Sequence, residues 1–288
     1  MITAEIKQEI INEIKSQAPN FPSQAALGTV VGLDRGTISK IINGYDQDLL
    51  SDKKWLLIAR KIGLKVGDDW KVAKTMVFQI ISSHLQECQR NSVGGILCDD
   101  ADIGKSFTAK IYCRENKNAF YIDCSQYKTK NLFIRGLATT LGVNYYGRYK
   151  DVYEKIVDHI IVTEKPLIVL DEFGDLTQEM MLEFKALWNA TERSCGWYAM
   201  GADGLAAKIN RNLNNEKIGW AEIFSRLGGT IHRITPDGKT NRKNFKKKEV
   251  AKVAKANGAT QSGNEMVVKT KGSLRRVHVE IQKTKTHA

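Results

Sequence analysis

Apolar residues recur at helical spacing through the first part of the chain. Ile6, Ile10, Ile11 and Ile14 line a short amphipathic helix over 4–16, and Pro19 ends it, because proline disfavours helix in the residue before it. Ala26, Leu27 and Val30 follow Ser23, a suitable N-cap, and give a second helix its buried face. Gly32-Leu33-Asp34 reads as a tight turn. Residues 35–43 then bring Ile38, Ile41 and Ile42 to one side and turn Arg35, Thr37, Ser39 and Lys40 outward, and a helix over 53–61 carries Trp55, Leu56, Ile58 and Ala59. Gly63 to Trp70 reads as a linker, and 71–90 as a helix leading into a second region.

Beyond that point the pattern changes period. Short continuous apolar runs at 96–98, 119–124, 167–170, 197–200 and 230–234 predict five buried strands. Helical segments at 131–141, 150–163 and 177–193 alternate with them. The alternation argues an α/β fold with a parallel sheet covered on both faces, preceded by an all-α unit.

Composition bounds this picture. A chain of 288 residues with 42% hydrophobic and 26% charged residues is globular, of about two domains, and neither wholly disordered nor collagen-like. No apolar run approaches ~18 residues, and MITAEIKQEIINEIK lacks the apolar centre of a signal peptide, so a cytoplasmic protein without membrane contact is expected. Five scattered cysteines without a CxxC pair point to reduced thiols in the core. Lys and Arg number 44 against 32 Asp and Glu, a net charge of +12. The first 70 residues are neutral, whereas the last 53 hold 14 cations and 4 acids. That basic end suggests a polyanionic partner, most plausibly nucleic acid, against the plainer reading of a solvated basic surface.

The chemistry concentrates in GGILCDDADIGKSFTAKIY, residues 94–112. A strand, a loop, Gly104-Lys105-Ser106 and a helix make the layout of a phosphate-binding loop. Backbone N–H groups over Asp102, Ile103, Gly104 and Phe107 and the helix N-terminus suit phosphate, Lys105 bridges its oxygens, and Ser106 suits Mg²⁺. The usual glycine at position 99 is replaced by Asp99, and Asp100 and Asp102 add further carboxylates that must turn away from an anion. In PLIVLDEFGDL (166–176) an apolar strand ends on Asp171 and Glu172, where ligands bind in open α/β sheets. Asp171 suits Mg²⁺ and Glu172 suits a general base acting on water. The two motifs stand 66 residues apart in the order an ATP site requires.

Two resemblances follow from these residues. Gln24, Ala26, Gly32, Ile38 and Ser39 make residues 5–65 resemble the helix-turn-helix of the lambda-repressor/Cro family. That resemblance implies that Arg35 and Lys40, with Thr37 and Ser39, read DNA; the neutral charge of the unit leaves a docking module open. The whole chain resembles the AAA+ ATPases of the MuB/TnsC/TniB group, which select targets for transposable phages and transposons. The implied division is a helix-turn-helix domain over 1–66, a linker at 67–70, an AAA+ core over 71–236 and a basic helical lid over 237–288.

The same resemblance implies Lys105 and Ser106 as Walker A, Asp171 and Glu172 as Walker B, and a first sensor near Ala202 or Asp203. It implies Arg226 as an arginine finger acting on a neighbouring subunit, and Arg275 or Arg276 facing nucleotide from GSLRR (272–276). It implies ATP and Mg²⁺ as cofactors, and a homo-oligomer, ring or filament, on double-stranded DNA gripped through Lys128, Lys130, Arg148 and Lys150, with Tyr127 and Tyr149 packing on sugars. A DDE-type transposase is the implied partner in a bacterial host. A helicase-loader-like replication ATPase and a transcriptional regulator with a degenerate P-loop are the alternatives.

Overall fold

The computed structural model describes residues 2–44, 49–64, 70–259 and 262–286; most of the expected linker, 67–69, lies outside them. Four helices come first: α1 (Ala4–Gln17), α2 (Gln24–Val31), α3 (Arg35–Ile42) and α4 (Asp52–Lys61). Side-chain oxygens of Thr3, Ser23 and Asp34 cap the first three by accepting from Ile6, Ala26 and Thr37 N–H groups. Gly32 closes α2 at φ +80°, a backbone that other residues rarely adopt. Gly28 lets Leu33 O approach so closely that a Cβ there would sit 2.6 Å from it. Ile10, Ile11, Ile14, Leu27, Ile38, Ile41, Trp55 and Ile58 form the core of this unit. Leu56 of α4 is exposed.

The second region opens with α5 (Met76–Asn91), five residues later than its apolar pattern suggests. Residues 70–75 are not helical because their backbone is bound elsewhere: Lys71 N–H donates to Asn257 Oδ1 at 2.7 Å, and Thr75 caps α5. Then follow β1 (Gly94–Cys98), α6 (Lys105–Glu115), β2 (Ala119–Asp123), α7 (Lys130–Leu141), α8 (Tyr149–Val162), β3 (Leu167–Asp171), α9 (Gln178–Ala190), β4 (Gly196–Gly201), α10 (Asp203–Asn214) and α11 (Trp220–Arg226). Three helices close the chain, α12 (Lys239–Ala256), α13 (Gly263–Thr270) and α14 (Leu274–Thr286).

The sheet is parallel, in the order β1-β4-β3-β2. Its alternation is of period two: Ile96, Cys98, Ile168, Leu170 and Trp197 face one apolar layer, while Leu97, Leu167, Val169, Tyr198 and Met200 face the other. Helices therefore cover both faces. The described residues hold four strands, not the five expected. Segment 230–234 lies beside β1 with a single bridge, Leu97 to His232, and two backbone hydrogen bonds. Its ladder stops there because the amides of Ile234 and Thr235 donate to the side chain of Asp99 at 2.7 and 2.8 Å rather than to a strand.

The C-terminal helices enclose their own cluster of Val250, Val253, Ala254, Met266, Val277 and Ile281, with Trp70 and Ala73 against it. Glu249, buried on α12, accepts from Met76 and Val77 N–H at 3.1 Å each and so caps α5 from outside its own segment.

Candidate nucleotide site

Parallel strands deliver their C-terminal ends to one side of the sheet. Cys98 of β1 stands level with Gly201 of β4, and Leu170 of β3 with Ala199. The loop after β1 and the carboxylates ending β3 thus share one mouth, about 10 Å apart across β4 at ordinary strand spacing. The loop carries two left-handed residues, Asp102 at φ +61° and Gly104 at φ +99°, and Gly104 sits at the N-cap of α6. Free N–H groups at that helix start suit an anion. Ile103 is buried, Ser106 half-buried and Phe107 exposed. Lys105 is buried, and its Nζ donates to the carbonyls of Asp99 and Asp100 at 2.8 and 2.6 Å. Burial pulls its pKa below the ordinary lysine value, against the opposing pull of Asp99, Asp171, Glu172 and Asp100. Those same carboxylates favour the charged form of Lys105.

Asp171 is buried. It accepts from the Tyr121 hydroxyl at 2.6 Å and from Glu172 N–H at 3.0 Å. Glu172 holds a left-handed backbone at φ +49°, a conformation a non-glycine residue adopts only under constraint. Burial raises the Glu172 carboxyl above its ordinary pKa, helped by the charges of Asp171 and Asp175. A carboxylate made more basic beside an anion site suits a general base. Among the described residues no group of three or more His, Cys, Asp and Glu could hold a metal alone. A divalent ion would depend on Ser106, Asp171 and phosphate oxygens, an all-oxygen set that suits Mg²⁺.

All three loop aspartates have partners. Asp99, fully buried, accepts from the N–H groups of Asp100, Ile234 and Thr235. Asp100 is met by Lys246 Nζ at 2.7 Å, Arg233 at 2.8 Å and Arg242 at 3.5 Å. Burial alone would raise the Asp100 pKa, but the hydrogen bond and charge of Lys246, with Arg242 and Arg233, hold it below the usual carboxylate range. Asp102 accepts from Ser273 Oγ at 2.9 Å and pairs with Arg275 at 3.2 Å.

Arg233 is the residue that sequence reading missed. It bridges Asp100 and Asp203, each at 2.8 Å, and approaches Asp99 at 3.9 Å. Asp203, read as a sensor position, is therefore occupied by an ion pair. The signal for Arg233 was its place in an expected edge strand beside the P-loop, which periodicity does not distinguish from an ordinary strand residue.

The other expected residues disperse. Arg226 lies at the opposite end of β1, where its carbonyl crowds Gly94; its Nε donates to Asn189 at 2.7 Å and its guanidinium lies over Trp188. It cannot reach its own P-loop. Arg275 is tied to Asp102, and Arg276 is exposed. Lys130 pairs with Glu179 and Glu183, and Lys150 with Glu154. Lys128 and Arg148 are exposed. Tyr127 packs over Gly136 and Phe133, and Tyr149 stacks on Tyr153 beneath Lys130, so neither ring is free as expected. Arg35 and Lys40 are exposed on α3, whereas the Thr37 hydroxyl donates to Asp34 at 2.6 Å.

Residues 95–209 match the family model of the AAA domain. No curated protein matches the chain. The chain is similar to the crystal structure of NtrX from Brucella abortus in complex with ATP, at 11% identity and a TM-score of 0.46, over 85% of this chain and 58% of that one. It thus spans little more than half of the NtrX chain. The matched stretch includes β1, the loop after it and β3, so residues 95–209 are similar to an AAA domain over the segment that forms this mouth.

Proposed function

We propose that this protein binds and hydrolyses ATP at the mouth between Lys105 and Glu172, and that ATP assembles it into oligomers on double-stranded DNA that engage a DDE-type transposase. The observation that carries the ATPase reading is the meeting of Lys105, Asp171 and Glu172 at the C-terminal ends of β1 and β3 in an AAA-type domain. Ser106 and Asp171 would hold Mg²⁺, which when bound neutralises phosphate charge. Glu172 takes the proton of the attacking water. Lys105 leaves the loop carbonyls for phosphate oxygens.

Arg226 acts across a subunit boundary, because it sits on the far side of its own sheet. DNA contact rests on charge: α12 carries eight Lys and Arg residues, and its one acid, Glu249, is buried against α5. Arg35 and Lys40 on α3, and Lys128 and Arg148 on the core, are further exposed cations for phosphate. The transposase partner rests on the sequence resemblance alone.

The test is binding to a duplex of arbitrary sequence with ATP, ADP or no nucleotide across a salt series. The reading expects ATP-dependent, salt-sensitive and sequence-blind binding, lost in Lys105→Ala and prolonged in Glu172→Gln. Tight binding to one site irrespective of ATP would instead favour the regulator with a degenerate P-loop.

A further inference from the structure

We propose that Asp100 and Asp102 hold the C-terminal helices against the P-loop in place of nucleotide, and that a bound triphosphate competes with these carboxylates for the same cations. The inference rests on the nucleotide reading above and adds to it a device specific to this loop.

The geometry has two latch points and one hinge. At the first latch, Lys246 and Arg242 of α12 converge on Asp100, joined there by Arg233. The Asp100 side chain is only 7% exposed, so these contacts are largely shielded from water. At the second, the residues opening α14 fold over Asp102. Leu274 N–H donates to its carbonyl at 2.9 Å, Ser273 Oγ to its carboxylate at 2.9 Å, and Arg275 pairs with the other oxygen. The hinge lies at the far side, where Glu249 caps α5 and Asn257 exchanges hydrogen bonds with the Lys71 backbone at 2.7 and 3.1 Å. Glu249 and Asn257 hold residues outside the loop, so they persist when the latches part.

The latch carboxylates present what a phosphate presents: anionic oxygens to guanidinium and ammonium groups. Lys105 is also engaged internally, on the carbonyls of Asp99 and Asp100. Beside the first latch, Arg242 and Lys246 line a cavity of about 670 Å³ together with Lys239, Lys243 and Lys271. Polyanion therefore meets cations that are already shared with the loop. Both sets of contacts are formed in the structure. Binding of triphosphate requires the latch to yield, and apparent affinity falls by the fraction of molecules in which it has not.

The test uses the full chain, with ATP binding followed by calorimetry and backbone hydrogen exchange followed over 239–286. Asp100→Asn keeps the side-chain shape and removes the charge. It should tighten ATP binding roughly fivefold or more and speed exchange in α12 and α14 without nucleotide, whereas Asp100→Glu should behave as the parent. A merely structural role for Asp100 would weaken ATP binding or leave it unchanged, and either result overturns the proposal, as does unaltered exchange in Asp100→Asn. If none of the chains binds ATP, the nucleotide reading fails and takes the competition with it. The exchange arm then still reports separately whether the carboxylates anchor these helices.

Discussion

Asp34 illustrates how a residue read as part of a turn acquires a structural duty. Its carboxylate accepts from Thr37 N–H at 2.9 Å and from the Thr37 hydroxyl at 2.6 Å, capping the helix that presents Arg35 and Lys40. Asp34→Ala should lower stability, seen as an earlier midpoint in denaturant unfolding. At the same scale, the spacing of Lys105, Ser106, Asp171 and Glu172 along the chain anticipated that they lie at one end of the sheet. The fates of Asp99, Asp100 and Asp102 were not legible there. Each is set by a partner from 133 to 173 residues away, and local pattern carries no information about such pairs. Arg233, which ties three acids together, was invisible for the same reason.

At the scale of elements, four strands and the helices between them followed from apolar period and length. The fifth strand failed because backbone amides that could have extended it were taken by Asp99, and the start of α5 shifted because Asn257 binds the Lys71 backbone and Thr75 caps the helix. A Cβ at Gly196 would stand 2.4 Å from the Cys88 carbonyl, so α5 cannot sit on β4 without glycine there. Gly196→Ala should therefore destabilise the fold by about 1–3 kcal/mol, read from chemical denaturation.

His84 of α5 shares a contact of 2.9 Å with the Tyr198 hydroxyl and faces His232 across 4.9 Å between ring centres; Glu87 is the nearby acid. Burial lowers its pKa below the ordinary 6.5, and the charge of His232 adds to this. The unfolded chain thus binds a proton more readily than the folded one. Stability is fully present above pH 6.5 and declines as the pH falls from there toward the lowered native value. His84→Gln should flatten that part of a stability-against-pH profile.

The whole molecule joins a neutral helical unit, an AAA-type domain and a basic helical end. Charge segregation and the change from helical to strand period are visible in the chain itself. The contacts between its parts are not. With Arg226 on the opposite end of β1 from the P-loop, a complete hydrolysis site needs two subunits in the proposed account. Arg226→Ala should retain ATP binding and lose hydrolysis. Mixing it with Lys105→Ala, which lacks a working P-loop but keeps Arg226, should restore part of the rate if subunits share sites.

The most direct test of the central claim is phosphate release from ATP by the full chain, run beside Glu172→Gln and Lys105→Ala. The account predicts measurable turnover by the parent. It predicts retained ATP binding with release slowed by at least ~100-fold in Glu172→Gln, as expected for loss of a general base, and loss of both in Lys105→Ala. Release by the parent that both substitutions leave unchanged, or a parent that neither binds nor cleaves ATP, would contradict it.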